Sequence, residues 1–172
     1  MSHYRIVPDR SHVIMNARSS LHPIHTRVDG LDGYVEMEVL DGGRVNLSAS
    51  PKAKLSFPVD RLTSSNLLKD RELKRRIDAR RYPTINGQLG ELRESEKDGH
   101  YVARGDVSFR GVTKTYEDEM AITAIDDRTL KLEGEHTFDI RDFDMEPPKI
   151  LMLRVEPDVH VRVEIVAEKG KD

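Results

Sequence analysis

The chain has 172 residues, 37% of them apolar and 5% aromatic, with no cysteine and no tryptophan; that length suits one domain and excludes disulfides and thiolate chemistry. Its 28 basic and 31 acidic residues leave a net charge of −3, which argues for solubility and against general nucleic-acid binding. The opening Met-Ser-His-Tyr-Arg-Ile-Val-Pro-Asp-Arg has no apolar signal core, and no later run nears the roughly 18 apolar residues of a membrane span, so the expectation is a cytoplasmic protein made without a secretion signal.

In chain order, Ser11, Val13, Met15 and Ala17 alternate with His12, Ile14, Asn16 and Arg18, the period of a strand with a small aliphatic inner side. Ser19 to Asp32 is less regular. Val35, Met37 and Val39 oppose Tyr34, Glu36 and Glu38 in a second strand that ends at the turn signal Asp41-Gly42-Gly43. Val45, Leu47 and Ala49 begin a return strand, which Ala53, Leu55, Phe57 and Val59 continue after Ser50-Pro51. Pro58 faces outward there, as suits an edge or a bulge.

Between Ser64 and Arg81 the period changes. Asp70 reads as an N-cap, Glu72 as a first-turn carboxylate, and Leu73 and Ile77 share a helical face that Tyr82-Pro83 terminates. This helix is expected as a lid or plug between strands. Lys69, Arg71, Lys74, Arg75, Arg76, Arg80 and Arg81 outnumber Asp70, Glu72 and Asp78, so the stretch is either a solvated face or a site for an anionic head group or acidic partner.

Thr84 to Arg93 is extended again, with Ile85 and Leu89 inward, and Glu94 to Gly99 is a polar hairpin turn. Tyr101, Ala103, Gly105, Val107 and Phe109 then fall opposite Val102, Arg104, Asp106, Ser108 and Arg110. Arg110-Gly111 is a bulge, bend or tight connection into Val112 to Ala124, where Tyr116, Met120 and Ile122 share a face. After Asp126-Asp127, a turn, Leu130, Leu132, Gly134, His136, Phe138 and Ile140 share another. Ile150 to Leu153, after Pro147-Pro148, is too continuously apolar for solvent and is expected to be covered by the barrel or by a second copy in a homodimer. Val159, Val161, Val163 and Ile165 form the last strand, and Glu168 to Asp172 reads as a frayed tail. Strands joined by turns around one helix predict a single all-β domain, a sandwich or a barrel.

Few residues suggest chemistry. His22 and His25 flank Pro23-Ile24, a loop pair that lacks cysteines or a clear carboxylate partner for a metal. His136 points where a core residue belongs; it is either a base oriented by Asp118 or a hydrogen-bonded histidine inside a barrel. There is no Gly-x-Ser-x-Gly, Walker loop or dinucleotide fingerprint, so an enzyme reading lacks a nucleophile and no cofactor is expected.

Several stretches resemble the YceI family. Pro8-Asp9-Arg10-Ser11-His12-Val13 is similar to the family's opening, and Asn66-Leu67-Leu68-Lys69-Asp70-Arg71-Glu72-Leu73 to its Asn-x-x-Arg-Asp-x-x-Leu. Tyr82-Pro83-Thr84-Ile85 resembles its Tyr-Pro segment, Phe109-Arg110-Gly111-Val112-Thr113-Lys114 its Arg-Gly-Val-Thr-Lys signature, and Arg141-Asp142-Phe143-Asp144-Met145 its Arg-x-Asp-Phe-Gly type. The matches keep family order from about Tyr4 to Val166, with Val7, Lys69 and Asp144 standing where many members have Asp, Arg and Gly.

The resemblance implies an antiparallel, lipocalin-like β-barrel that holds a long isoprenoid chain in an apolar tunnel, often as a dimer. The expected function is therefore binding, sequestration or transport of an amphipathic isoprenoid-type lipid, a polyprenyl compound or an isoprenoid quinone. Its expected contacts are Val13, Met15, Leu55, Phe57, Leu73, Ile77, Val107 and Phe109 from the first part of the chain. Met120, Ile122, Leu132, His136, Phe138, Ile140, Val161 and Val163 complete the set. A homodimer and transient contact of the basic helix with an anionic membrane surface are the further expected partners. The alternatives are a His-dependent enzyme or metal-binding barrel using His136 with His22 or His25, and a structural barrel with a filled interior.

Overall fold

Apolar and polar side chains alternate along most of the strands in this computed structural model, which describes residues 1–20, 23–62, 67–147, 149–150 and 153–170. The strands are β1 (Ser2–Ile6), β2 (His12–Ser19), β3 (Pro23–Asp29), β4 (Asp32–Met37), β5 (Lys52–Pro58) and β6 (Thr84–Glu94). They continue as β7 (His100–Phe109), β8 (Val112–Asp126), β9 (Thr129–Asp139), β10 (Lys149–Ile150) and β11 (Leu153–Lys169), with one α-helix, α1 (Leu67–Ile77), between β5 and β6.

The wall runs β1-β4-β5-β6-β7-β8-β9-β11 and closes where β11 pairs with β1, giving an eight-stranded antiparallel barrel. The long β11 makes the closure. Its first part pairs with β2, as in Val161↔Met15, and its last residues pair with β1, as in Tyr4↔Lys169. β1 and β2 are thus two lengths of one wall position, broken by the 3-10 turn Pro8–Arg10, and β3 and β4 are broken likewise at Gly30-Leu31. Ser11, buried at 1% exposure, stitches the first break: its hydroxyl accepts from Val166 N at 3.0 Å and donates to Val166 O at 3.2 Å. A buried hydroxyl satisfied in both roles explains a polar residue at an apolar position.

The interior divides in two. Tyr4, Val35, Met37, Leu92, Tyr101, Ile122 and Leu130 pack among themselves at one end. Ile6, Val13, Val28, Leu31, Phe57, Leu62, Ile77 and Met145 form a second cluster, which includes the underside of α1. Ile165 packs against both.

Arg110 and Gly111, at φ 55° and 76°, make the tight two-residue turn between Phe109 and Val112, a geometry that matches strand twist. Arg110 then latches the cover. Its Nε donates to Arg76 O at 2.9 Å and its Nη1 to Phe143 O at 3.4 Å and to Asp144 O, so one guanidinium holds the end of α1 and the 3-10 turn Ile140–Phe143.

Several sequence expectations need correction. The irregular stretch Ser19 to Asp32 contains β3, and a strand, β1, precedes the one expected first. Leu47–Ala49 is a 3-10 turn, because the Asn46 side chain accepts from Ser48 N and so competes with a ladder. Val45 keeps only an isolated bridge to Val39, and Val59 opens another 3-10 turn. α1 starts at Leu67, which puts Asp70 inside the first turn, not at the cap, and Glu72 beyond it. Glu168 and Lys169 are paired with β1, not frayed. The apolar run Ile150 to Leu153 and His22 lie outside what is described of side chains.

Candidate ligand cavity

Beyond the first cluster, along the residues of the second, the barrel is hollow. A cavity of about 460 Å³, within the roughly 300–1,000 Å³ usual for small-molecule sites, is bordered by inward residues of β2, β3, β5 to β9 and β11 and by α1. Val13 and Met15 reach it from β2, Leu55 and Phe57 from β5, and Leu73 and Ile77 from α1. Val107 and Phe109 border it from β7, Met120 from β8, Leu132, His136 and Phe138 from β9, Ile140 beyond β9, and Val161 and Val163 from β11.

Ile122 does not border it. Though it shares a face with Met120, it is 3% exposed and packed with Tyr101 and Leu130 in the closed end. The sequence reading also missed lining from Ile24 and Thr26, since the strand carrying them was not recognised, and from Phe143 and Met145, which follow the last residue of β9 in a turn.

The wall changes character between β8 and β9. Their ladder runs from Asp126↔Thr129 only as far as Met120↔Gly134; beyond that, side chains bridge the strands. His136 Nδ1 lies 2.7 Å from Asp118 Oδ2, the partner expected for it, and the Tyr116 hydroxyl donates to Asp142 Oδ2 at 3.0 Å. Tyr116 also packs on His136, Phe138 and Phe143, with ring centroids at 5.1, 4.8 and 6.2 Å. His136 keeps 28% of its side chain exposed and Asp118 52%, so this seam is the wetter part of an otherwise apolar lining.

Burial, followed by the hydrogen bond to Asp142, pushes the Tyr116 phenol well above the ordinary tyrosine value. Its neutral form is favoured by folding, so that contribution is complete below about pH 10 and is lost as pH rises from there toward the folded-state value. Alkaline titration followed by phenolate absorbance should show a late component that Tyr116→Phe removes. Burial raises the Tyr4 phenol as well, so only late absorbance undiminished in that variant would exclude Tyr116 as a source.

Arg71, Lys74, Arg75 and Arg76 of α1 do not border the cavity. Arg75 and Arg76 pair with Glu72 at 2.9 and 3.0 Å, and those bonds hold the Glu72 carboxyl below its usual range. His25 is exposed on β3 and bonds Asn16, so it does not meet His136. Among the described residues no group of three His, Asp or Glu side chains is arranged for a metal, and no helix is long and apolar enough to cross a membrane.

The sequence model of a family described as YceI-like domain matches residues 4–167. No curated protein matches the chain in sequence. Among solved structures, a polyisoprenoid binding domain from Saccharophagus degradans, implicated in plant cell wall breakdown, superposes with a TM-score of 0.77 at 10% identity, over 99% of this chain and 100% of that one. BcnA of Burkholderia cenocepacia gives 0.76 at 11% identity, over 94% and 98%. The YCEI protein of Campylobacter jejuni gives 0.64 at 12%, over 83% and 82%. At such identities the likeness is one of fold.

Proposed function

Because the chain belongs to the YceI-like domain family, we propose that it binds an amphipathic isoprenoid-type lipid, a polyprenyl compound or isoprenoid quinone, within the barrel and without catalysis. The observation that carries this reading is the cavity itself, whose lining from β2 and β11 is apolar throughout and whose lining from β5 and β7 is apolar apart from the exposed Lys54 and Asp106. Each methylene removed from water contributes about 0.8 kcal/mol, so a branched hydrocarbon tail needs few polar contacts. The fold shared with a polyisoprenoid binding domain supports the same reading.

Mass spectrometry of an organic extract of the purified protein tests it. A long-chain isoprenoid, recovered in near-stoichiometric amount or taken up from supplied lipid, is the expected result; a preparation that extracts clean and takes up none would overturn it. Light scattering on the same sample tests the homodimer that the apolar run Ile150 to Leu153 suggests, a monomeric mass at all concentrations removing it. Contact of α1 with an anionic membrane surface belongs to the same proposal: Arg71, Arg75, Arg80 and Arg81 are exposed on and after the helix. Transfer from anionic and neutral vesicles at equal rates would remove that part.

A further inference from the structure

The cavity has a polar side, and its charge has a sign. Alternation along β8 and β9 turns Tyr116, Asp118 and Met120, and Gly134, His136 and Phe138, toward the interior. Glu119 and Glu135 occupy the alternate, exposed positions. α1 brings Asp70 to the cavity on the face of Leu73 and Ile77. Among the described residues that border the cavity, the one permanent cation is Lys54, which alternates with inward Leu55 and is exposed. The inward ionisable groups among the described residues therefore include carboxylates and no lysine or arginine.

Hydrogen bonding adds a direction. With Nδ1–H of the neutral imidazole donating to Asp118, the lone pair of His136 lies on Nε2, for which no partner stands among the described residues. The Tyr116 proton goes to Asp142, so the phenol oxygen offers its remaining lone pair. The second oxygen of Asp118 accepts from Glu119 N at 2.8 Å and keeps one lone pair as a third acceptor. With the imidazole neutral, the seam presents acceptors to a ligand and no spare donor, and the Asp118 carboxylate makes it negative.

We infer that the β8–β9 seam is a head-group subsite for a hydrogen-bond donor, a terminal hydroxyl or an ammonium, and that it disfavours phosphorylated head groups. The inference rests on the lipid reading above and narrows it. A hydroxyl or ammonium satisfies Nε2 and Asp118, whereas a phosphate would be brought beside the Asp118 carboxylate with no lysine or arginine among the described inward residues to offset the repulsion. A quinone carbonyl, an acceptor only, is matched less well than the corresponding quinol.

Titration calorimetry with farnesol, farnesylamine and farnesyl phosphate tests the point, since the three share one tail. Farnesol and farnesylamine are expected to bind at least tenfold more tightly than farnesyl phosphate. Asp118→Asn, which removes the charge and keeps the shape, should narrow that ratio severalfold. Phosphate binding as tightly as alcohol, or a ratio unmoved by Asp118→Asn, would overturn the subsite while leaving tail binding intact. If none of the three bound, the lipid reading would fail, and the subsite with it.

Discussion

Gly33→Ala is expected to destabilise the barrel by roughly 3 kcal/mol or more, a large share of the about 5–15 kcal/mol that holds an ordinary domain folded. Gly33 sits at φ +145°, and a Cβ there would stand 1.9 Å from Lys54 O and 3.0 Å from Ile6 Cδ1. Lys54 cannot retreat. It is paired with Tyr34 on one side and Gln88 on the other, so moving its carbonyl disturbs two ladders at once. Gly33 also follows the break between β3 and β4, where the chain must change course in the wall. Gly87→Ala is the control: a Cβ at Gly87 meets nothing within 4 Å, and its effect should stay within about 1 kcal/mol. Urea denaturation followed by circular dichroism measures both. Equal midpoints would show that the wall at Gly33 has room the geometry denies.

Gly134→Trp is expected to lower bound lipid at least tenfold with the barrel still folded. Gly134 is an inward position of β9 between Leu132 and His136, and a Cβ there makes ordinary contact, 3.5 Å to Met120 Cβ. The added indole has the hollow to occupy. Leu132→Trp is a less clean version of the same test, because Leu132 is 2% exposed and belongs to the closed-end cluster. Overpacking there costs about 1–3 kcal/mol by itself, so lost binding could come from lost structure. Extracted lipid per mole of protein, measured beside the melting curve, separates the two. Undiminished lipid in folded Gly134→Trp protein would place the ligand elsewhere.

Period-2 alternation identified most of the wall because each of those strands has one buried face. It failed where the polar face is long-chained or the strand is short: Ile24, Thr26 and Val28 do alternate, but Pro23, His25 and Arg27 gave the stretch the look of a loop. It also predicted strand at Leu47 and Ala49, where a local side-chain cap at Asn46 decides the backbone. Ile122 shows a second limit. Periodicity tells which face of a strand is inward but not where along it packing gives way to a hollow, which depends on what the opposite wall supplies. His136 and Asp118 were legible as a pair, since both fall on inward faces of neighbouring strands. The reach of Arg110 to Arg76 O and Phe143 O was not, since it depends on tertiary placement alone.

The separation of the interior into a solid end and a hollow end bears on how such a protein changes over time. Tyr4, Met37, Leu92 and Leu130 fill the solid end without bordering the hollow, so replacing large side chains there by alanine costs about 2–5 kcal/mol each. Substitutions facing the hollow meet empty volume and disturb fewer packed neighbours. Drift in ligand preference is therefore weakly opposed by stability, whereas drift in the solid end is strongly opposed. A barrel divided in this way can exchange one hydrocarbon cargo for another while its wall topology stays as it is.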